Sequence, residues 1–213
     1  METRMVQISA AKDRKIKIGM IPGHFVTTHS HVNAYVDLTE IKCESNTAQR
    51  AAEILARAYN HALPIETIVC MEGTELVGAY LAQEISRPGT RALTSGQSIA
   101  VIAPEYDSNR QMIFRDNVQK KLWNKHVILL IASITTGKTI NRALECLSYY
   151  GGVPVGIASL FSAVKEINNF EINTILSSDD IPDYQSYSNA ECPFCREKRK
   201  IDAIVNSFGY SKL

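Results

Sequence analysis

The sequence has no dominant charge. Its 23 lysines and arginines nearly cancel its 22 aspartates and glutamates, leaving a formal net charge of +1. A dedicated nucleic-acid binder usually carries a strong basic excess, so the balance argues against nucleic acid as a partner. No apolar run approaches the roughly 18–20 residues that span a bilayer, which argues against a membrane protein. Residues 1–17 are mixed and charged, without the apolar centre of a secretory signal. Five cysteines in a chain without such a signal point to a reducing compartment, and the expected location is cytoplasmic. No internal repeat and no low-complexity tract is present.

The chain does have alternating apolar segments. Its 213 residues suffice for one α/β domain with a small appendage, and its 45% hydrophobic and 21% charged residues are ordinary for a globular core. Residues 1–17 read as a polar helix or frayed arm, and 18–31 as irregular chain around Pro22 and Gly23. A short strand is expected over 33–38. A helix over 47–61 follows, capped by Ser45 or Asn46 and stopped by Pro64. Short buried strands are expected over 65–71 and 98–103, with a helix over 76–85 between them, ended by Arg87, Pro88 and Gly89. A further strand is expected over 111–115. The most apolar strand runs over 127–131, followed by a helix over 139–150 and a strand over 153–160. Beyond residue 177 the tail is polar, with a helix-like stretch over 198–208. This alternation predicts a parallel sheet flanked by helices, with ligands at the carboxyl ends of the strands. The loops to watch are then 72–75 and 132–139.

Thr135, Thr136, Gly137, Lys138 and Thr139 join a buried strand to a helix. Unpaired N–H groups and the helix dipole favour an anion at such a junction. Gly137 permits close backbone approach, the threonine hydroxyls add donors, and Lys138 adds charge. An ordinary capped turn is the plainer reading. Residues 132–139 also fit the P-loop pattern G-x-x-x-x-G-K-[ST], except that Ala132 replaces the first glycine. A P-loop NTPase would need an acid on the following strand, and 153–160 carries none.

Residues 127–137 resemble the signature of the type I phosphoribosyltransferases: an apolar strand, two acids, two further residues, then Thr-Thr-Gly. The resemblance runs across about residues 18–200 and is greatest to the orotate phosphoribosyltransferases. Residues 24–37 resemble their base-side segment, 68–82 their strand, pyrophosphate loop and helix, and 113–115 a strand ending in an active-site arginine. Residues 151–158 resemble the strand after the phosphate loop. The resemblance implies a core over 44–177, a small hood over 1–43 and a C-terminal extension over 178–213. It implies a homodimer and, where the protein is catalytic, magnesium. It implies base-side contacts at Phe25 and Tyr35, a pyrophosphate loop at Glu72, Gly73 and Thr74, and the active-site arginine at Arg115. The ligand would be phosphoribosyl pyrophosphate or a nucleotide 5′-phosphate.

Ile131 and Ala132 stand where the family's acid pair holds the ribose hydroxyls, and Thr28 stands where it has a lysine. Only residues 116–126 separate Arg115 from the next strand, short for the usual lid. Charge-assisted bonds to a ligand are worth about 1.5–3 kcal/mol each, so transfer is expected to suffer more than binding. Two readings follow: a weakened transferase, or a non-catalytic sensor or partner subunit.

Cys192-Pro193-Phe194-Cys195 presents two thiols on one turn. Zinc, a redox dithiol and a plain structural turn all fit the pair, and some long members of the family carry it. His29 and His31 are candidates for further zinc ligands. His24, His61 and His126 have no partner by spacing, and Cys43, Cys70 and Cys146 read as core thiols.

Overall fold

In a computed structural model of the chain, residues 2–59, 64–88, 93–108 and 111–213 are described below. The expected helix end at His61 and the breaker Gly89 lie outside them.

The N-terminal segment is a sheet. After a single 3-10 turn at Glu2–Arg4, β1 (Val6–Ala10), β2 (Asp13–Val26) and β3 (His31–Asp37) form an antiparallel meander. This replaces the expected helix or arm over 1–17 and the irregular chain over 18–31. The deciding signal is a period of two: Ile16, Ile18 and Met20 are buried while Lys15 and Lys17 face water. Pro22 does not break β2, because a bulge between Pro22 and Phe25 takes up its missing N–H.

Helices α1 (Thr39–Cys43) and α2 (Ser45–Ala56) lead into the core. Glu44, not Ser45 or Asn46, is the N-cap of α2, and no side chain caps it. Buried Ala48, Ala51, Ala52 and Leu55 fall at helical spacing on one face. Cys43 is exposed rather than in the core.

The core then runs β4 (Thr67–Cys70), α3 (Glu75–Ser86), β5 (Ala100–Ile102), the ribbon β6 (Glu105–Tyr106) and β7 (Met112–Ile113), and α4 (Asp116–Gln119). It continues through β8 (His126–Ile134), α5 (Lys138–Tyr149), β9 (Val153–Ser162), β10 (Glu166–Ile167) and β11 (Phe170–Ser177). The sheet order is β10-β11-β9-β8-β4-β5, with every neighbouring pair parallel except β10 and β11. β8 is central, and alternate residues enter opposite cores. Ile128, Leu130 and Ala132 pack on the face with α2 and α3, and Val127, Leu129 and Ile131 on the face with α5. Covering on both faces is why this stretch reads as unbroken apolar sequence.

The extension returns to the hood. β12 (Ser186–Tyr187) pairs with β3. After the one-turn helix α6 (Pro193–Arg196), β13 (Ala203–Asn206) pairs with β2, and β14 (Gly209–Lys212) closes the sheet. The expected helix-like stretch over 198–208 therefore holds strand β13 and no helix. Ala203 and Val205 are buried while Ile204 and Asn206 are exposed, again a period of two.

Candidate functional site

The chain steps from β4 through α3 to β5 on one side, and from β8 through α5 to β9 on the other. The order reverses between β4 and β8, so their carboxyl ends flank the crevice where an open α/β sheet binds ligands. The 72–75 and 135–139 loops lie at these ends.

Gly137 is the N-cap of α5 and sits at φ +78°. A Cβ there would come within 2.7 Å of Ile167 Cδ1, the movable end of a side chain, so the left-handed backbone is what calls for glycine. Ile167 belongs to the β10–β11 hairpin, whose turn residues Asn168 and Asn169 both take positive φ. Asn168 Nδ2 donates to Asn141 Oδ1 on α5 at 3.1 Å, which leans the hairpin on the loop. Among the described residues, no side-chain hydrogen bond engages Thr135, Thr136 or Thr139. Thr136 and Lys138 are exposed. A narrow hollow over Ser133 to Ile140 is bounded on its hood side by His29. Burial lowers the His29 pKa, and Arg142 and Lys138 lower it further. One fixed cation, Lys138, and one titratable group, His29, thus line the hollow, with Arg142 close enough to act on His29. A larger hollow, about 410 Å³, lies elsewhere, at the start of β9 and β11. That is the amino end of the sheet.

On the other loop, Glu72 takes φ +62° and Gly73 φ +78°. Thr74 is buried, and its hydroxyl donates to the Met71 carbonyl at 2.9 Å. Glu75 opens α3, as an acid in a first turn favours. The Glu72 carboxylate reaches across to β8 and accepts from the Ser133 N–H at 3.4 Å. Burial pushes its pKa up to about 7, although the N–H groups of Ser133 and Ala132, the Lys42 ammonium and Ser207 pull the other way. Lys42 Nζ donates to the Glu72 carbonyl at 3.3 Å and to the Ser207 carbonyl at 2.5 Å. Lys42 also lies 5.2 Å from the centroid of the Phe208 ring, which is 73% exposed. The tip of the β13–β14 hairpin therefore stands over the 72–74 loop. Sequence spacing gives no hint of Lys42, Ser207 or Phe208, because their meeting depends on the hood sheet.

The other expected residues have partners of their own. Arg115 caps α4 and is exposed, held in an ion pair to Glu105 at 2.7 Å. Phe25 and Tyr35 are buried in the hood core, their rings 6.2 Å apart, with Tyr210 against Tyr35. Ile131 and Ala132 are fully buried.

A second cluster joins the hood to the extension. Cys192 and Cys195 meet His24 and His31, with all four donor atoms within 4.8 Å of one another. His31 pairs with Val26, and His24 lies two residues before Val26, so both imidazoles project from one face. Burial, and then the neighbouring His24, lowers the His31 pKa. Of the histidines weighed from sequence, His31 joins the cysteines, His29 faces the phosphate loop, and His24, given no role, sits at the centre of the cluster.

No family model matches the chain, and comparison with curated proteins gives no match. Solved structures do match. A phosphoribosyltransferase from Corynebacterium diphtheriae is 17% identical, with a TM-score of 0.51 over 76% of this chain and 90% of that one. An orotate phosphoribosyltransferase from Mycobacterium tuberculosis, in complex with 5-phospho-α-D-ribosyl 1-diphosphate, is 14% identical, with a TM-score of 0.51 over 69% and 82%. An adenine phosphoribosyltransferase from Trypanosoma brucei, with AMP, pyrophosphate and ribose-5-phosphate, is 15% identical, with a TM-score of 0.51 over 90% and 81%. With the β4–β8 switch point and the Thr-Thr-Gly turn at the head of α5, these likenesses establish that the chain has the type I phosphoribosyltransferase fold.

Proposed function

We propose that the protein binds a phosphoribosyl ligand, phosphoribosyl pyrophosphate or a nucleotide, by its 5′-phosphate at Thr135–Thr139, and that it transfers the phosphoribosyl group weakly. The observation that carries this is the turn at Gly137. It opens α5 with left-handed backbone at a switch point, below unpaired threonine hydroxyls and between Lys138 and His29. Helix amides and a cation at such a place favour a dianionic phosphate. Two of the solved structures of this fold hold ligands of the same chemistry.

The weak transfer follows from the ribose side. Two apolar, fully buried side chains stand in place of the acid pair, and the carboxylate that reaches this part of β8 is Glu72, from the loop after the neighbouring strand β4. Glu72 would be a protein carboxylate available to magnesium arriving with a diphosphate, a metal that keeps most of its ligands as water and phosphate. Phe208, exposed over the Glu72 loop, is a ring free to meet a base, whereas Phe25 and Tyr35 are buried. The sensor or partner-subunit reading has support in the same replacement at Ile131 and Ala132. The NTPase reading has none on β9, which carries no acid.

Calorimetric titration with ribose 5-phosphate and, separately, with ribose tests this. Saturable binding that requires the phosphate is expected. Equal binding of both sugars, or of neither, would overturn the reading.

A further inference from the structure

His24 and His31 lie on β2 and β3, near the start of the chain, and Cys192 and Cys195 flank the turn α6, near its end. His24 Nε2 and His31 Nδ1 are 2.9 Å apart. Cys192 Sγ is 3.5 Å from His24 Nε2, and Cys195 Sγ is 3.6 Å from it and 3.3 Å from His31 Nδ1. Bonds of about 2.3 Å to sulfur and 2.0–2.1 Å to nitrogen in a tetrahedron put neighbouring donor atoms about 3.3–3.8 Å apart. These four separations lie within a few tenths of an ångström of that range, and the other two are no more than 4.8 Å.

Three of the four residues are buried, so these polar groups have left water for one another. A hydrogen-bonded network satisfies them poorly, because one proton shared between two imidazoles leaves both sulfurs with only weak partners. The surroundings are those of a metal site. His24 Nδ1 lies 3.1 Å from the Arg199 carbonyl, to which its N–H can donate, which fixes the ring and leaves Nε2 free as a donor to a metal. The Phe194 ring packs on His24, with centroids 5.3 Å apart, and the Arg199 guanidinium covers Phe194.

We propose that His24, His31, Cys192 and Cys195 bind one zinc ion in a closed Cys2His2 site. Four protein donors leave no open position, so the ion is structural and takes no part in catalysis. Its effect is topological. Cys192 and His24 are 168 residues apart in sequence, and the ion fastens the extension to the hood beside the β2–β13 pairing. It thereby holds the hairpin that carries Ser207 and Phe208 over the Glu72 loop. It also braces the turn between His24 and His31, where His29 faces the phosphate loop.

The test is independent of phosphate binding. The full chain is purified under reducing conditions from zinc-supplemented cells, and its metal content is measured by mass spectrometry. One zinc per chain is expected, with loss to background in Cys195→Ser and in His31→Gln. So that the test does not depend on those variants folding, wild-type protein is also stripped with a chelator and reloaded. Stripping should lower the thermal transition and expose two additional titratable thiols, and zinc should reverse both. Cobalt added in place of zinc should give the visible absorption of a tetrahedral thiolate site. Metal-free protein whose transition does not move on adding zinc would overturn the proposal, as would an intact mass showing a Cys192–Cys195 disulfide.

Discussion

Replacing Glu72 with glutamine should stabilise the protein most above neutral pH and progressively less as the pH falls toward about 4. Burial pushes this carboxyl to about 7 from its ordinary 4.5, whereas in the unfolded chain it ionises near about 4.3. Below the unfolded value both states hold the proton and the fold carries no penalty. Between the two values the unfolded chain has lost the proton and the folded chain keeps it. Stability therefore falls as pH rises, by about 1.4 kcal/mol per unit, and levels off above the folded value. The full shift corresponds to about 3 kcal/mol. Glu72 keeps some contact with water, and screening reduces this to about 2 kcal/mol. Glutamine keeps the shape and one acceptor for the Ser133 N–H but carries no charge. For a chain of this size the gain corresponds to a Tm rise of about 4–8 °C at pH 8. Thermal unfolding of both proteins, followed by circular dichroism at pH 5 and pH 8 at constant ionic strength, reads the difference. A glutamine variant less stable at pH 8, or an offset equal at both pH values, would refute the reasoning. Either would mean that the Ser133 and Ala132 amides outweigh burial.

Two further outcomes follow from the phosphate loop. Gly137→Val forces a β-branched residue into left-handed backbone, at about 1–2 kcal/mol, and into Ile167, at about 1–3 kcal/mol, within the roughly 5–15 kcal/mol a domain can lose. The variant should stay folded by circular dichroism and lose ribose 5-phosphate binding by calorimetry; unchanged affinity would show that the ligand sits elsewhere. His29, with its pKa lowered in the free protein, should gain a proton when an anion enters. Sulfate, which does not titrate here, should bind up to about tenfold more tightly at pH 6 than at pH 8. His29→Ala should remove that slope, and a slope that survives would place the proton on another group.

The parallel core was legible because its strands are buried on both faces and so read as plain apolar runs. Val127 to Ala132 is the extreme case, and the loop at its carboxyl end needed only Thr-Thr-Gly to stand out. The hood was not legible. Its strands come from both ends of the chain, and in β2 the bulge at Pro22 interrupts the alternation that would have announced a strand. The His24 ligand set was hidden for the same reason. His31 meets His24 only across the β2–β3 pair, and the two cysteines arrive only when the C-terminal extension docks on the hood. Phe25 and Tyr35 fit the base-side segment by spacing, but strand alternation turns them into the hood core.

The central claim is tested most directly by calorimetric titration with phosphoribosyl pyrophosphate and magnesium, run beside an assay for pyrophosphate release with orotate present. The account predicts saturable binding with one site per chain and little or no release. Release at a rate ordinary for an enzyme would contradict the weakness assigned to Ile131 and Ala132, and absence of binding would contradict the phosphate site itself.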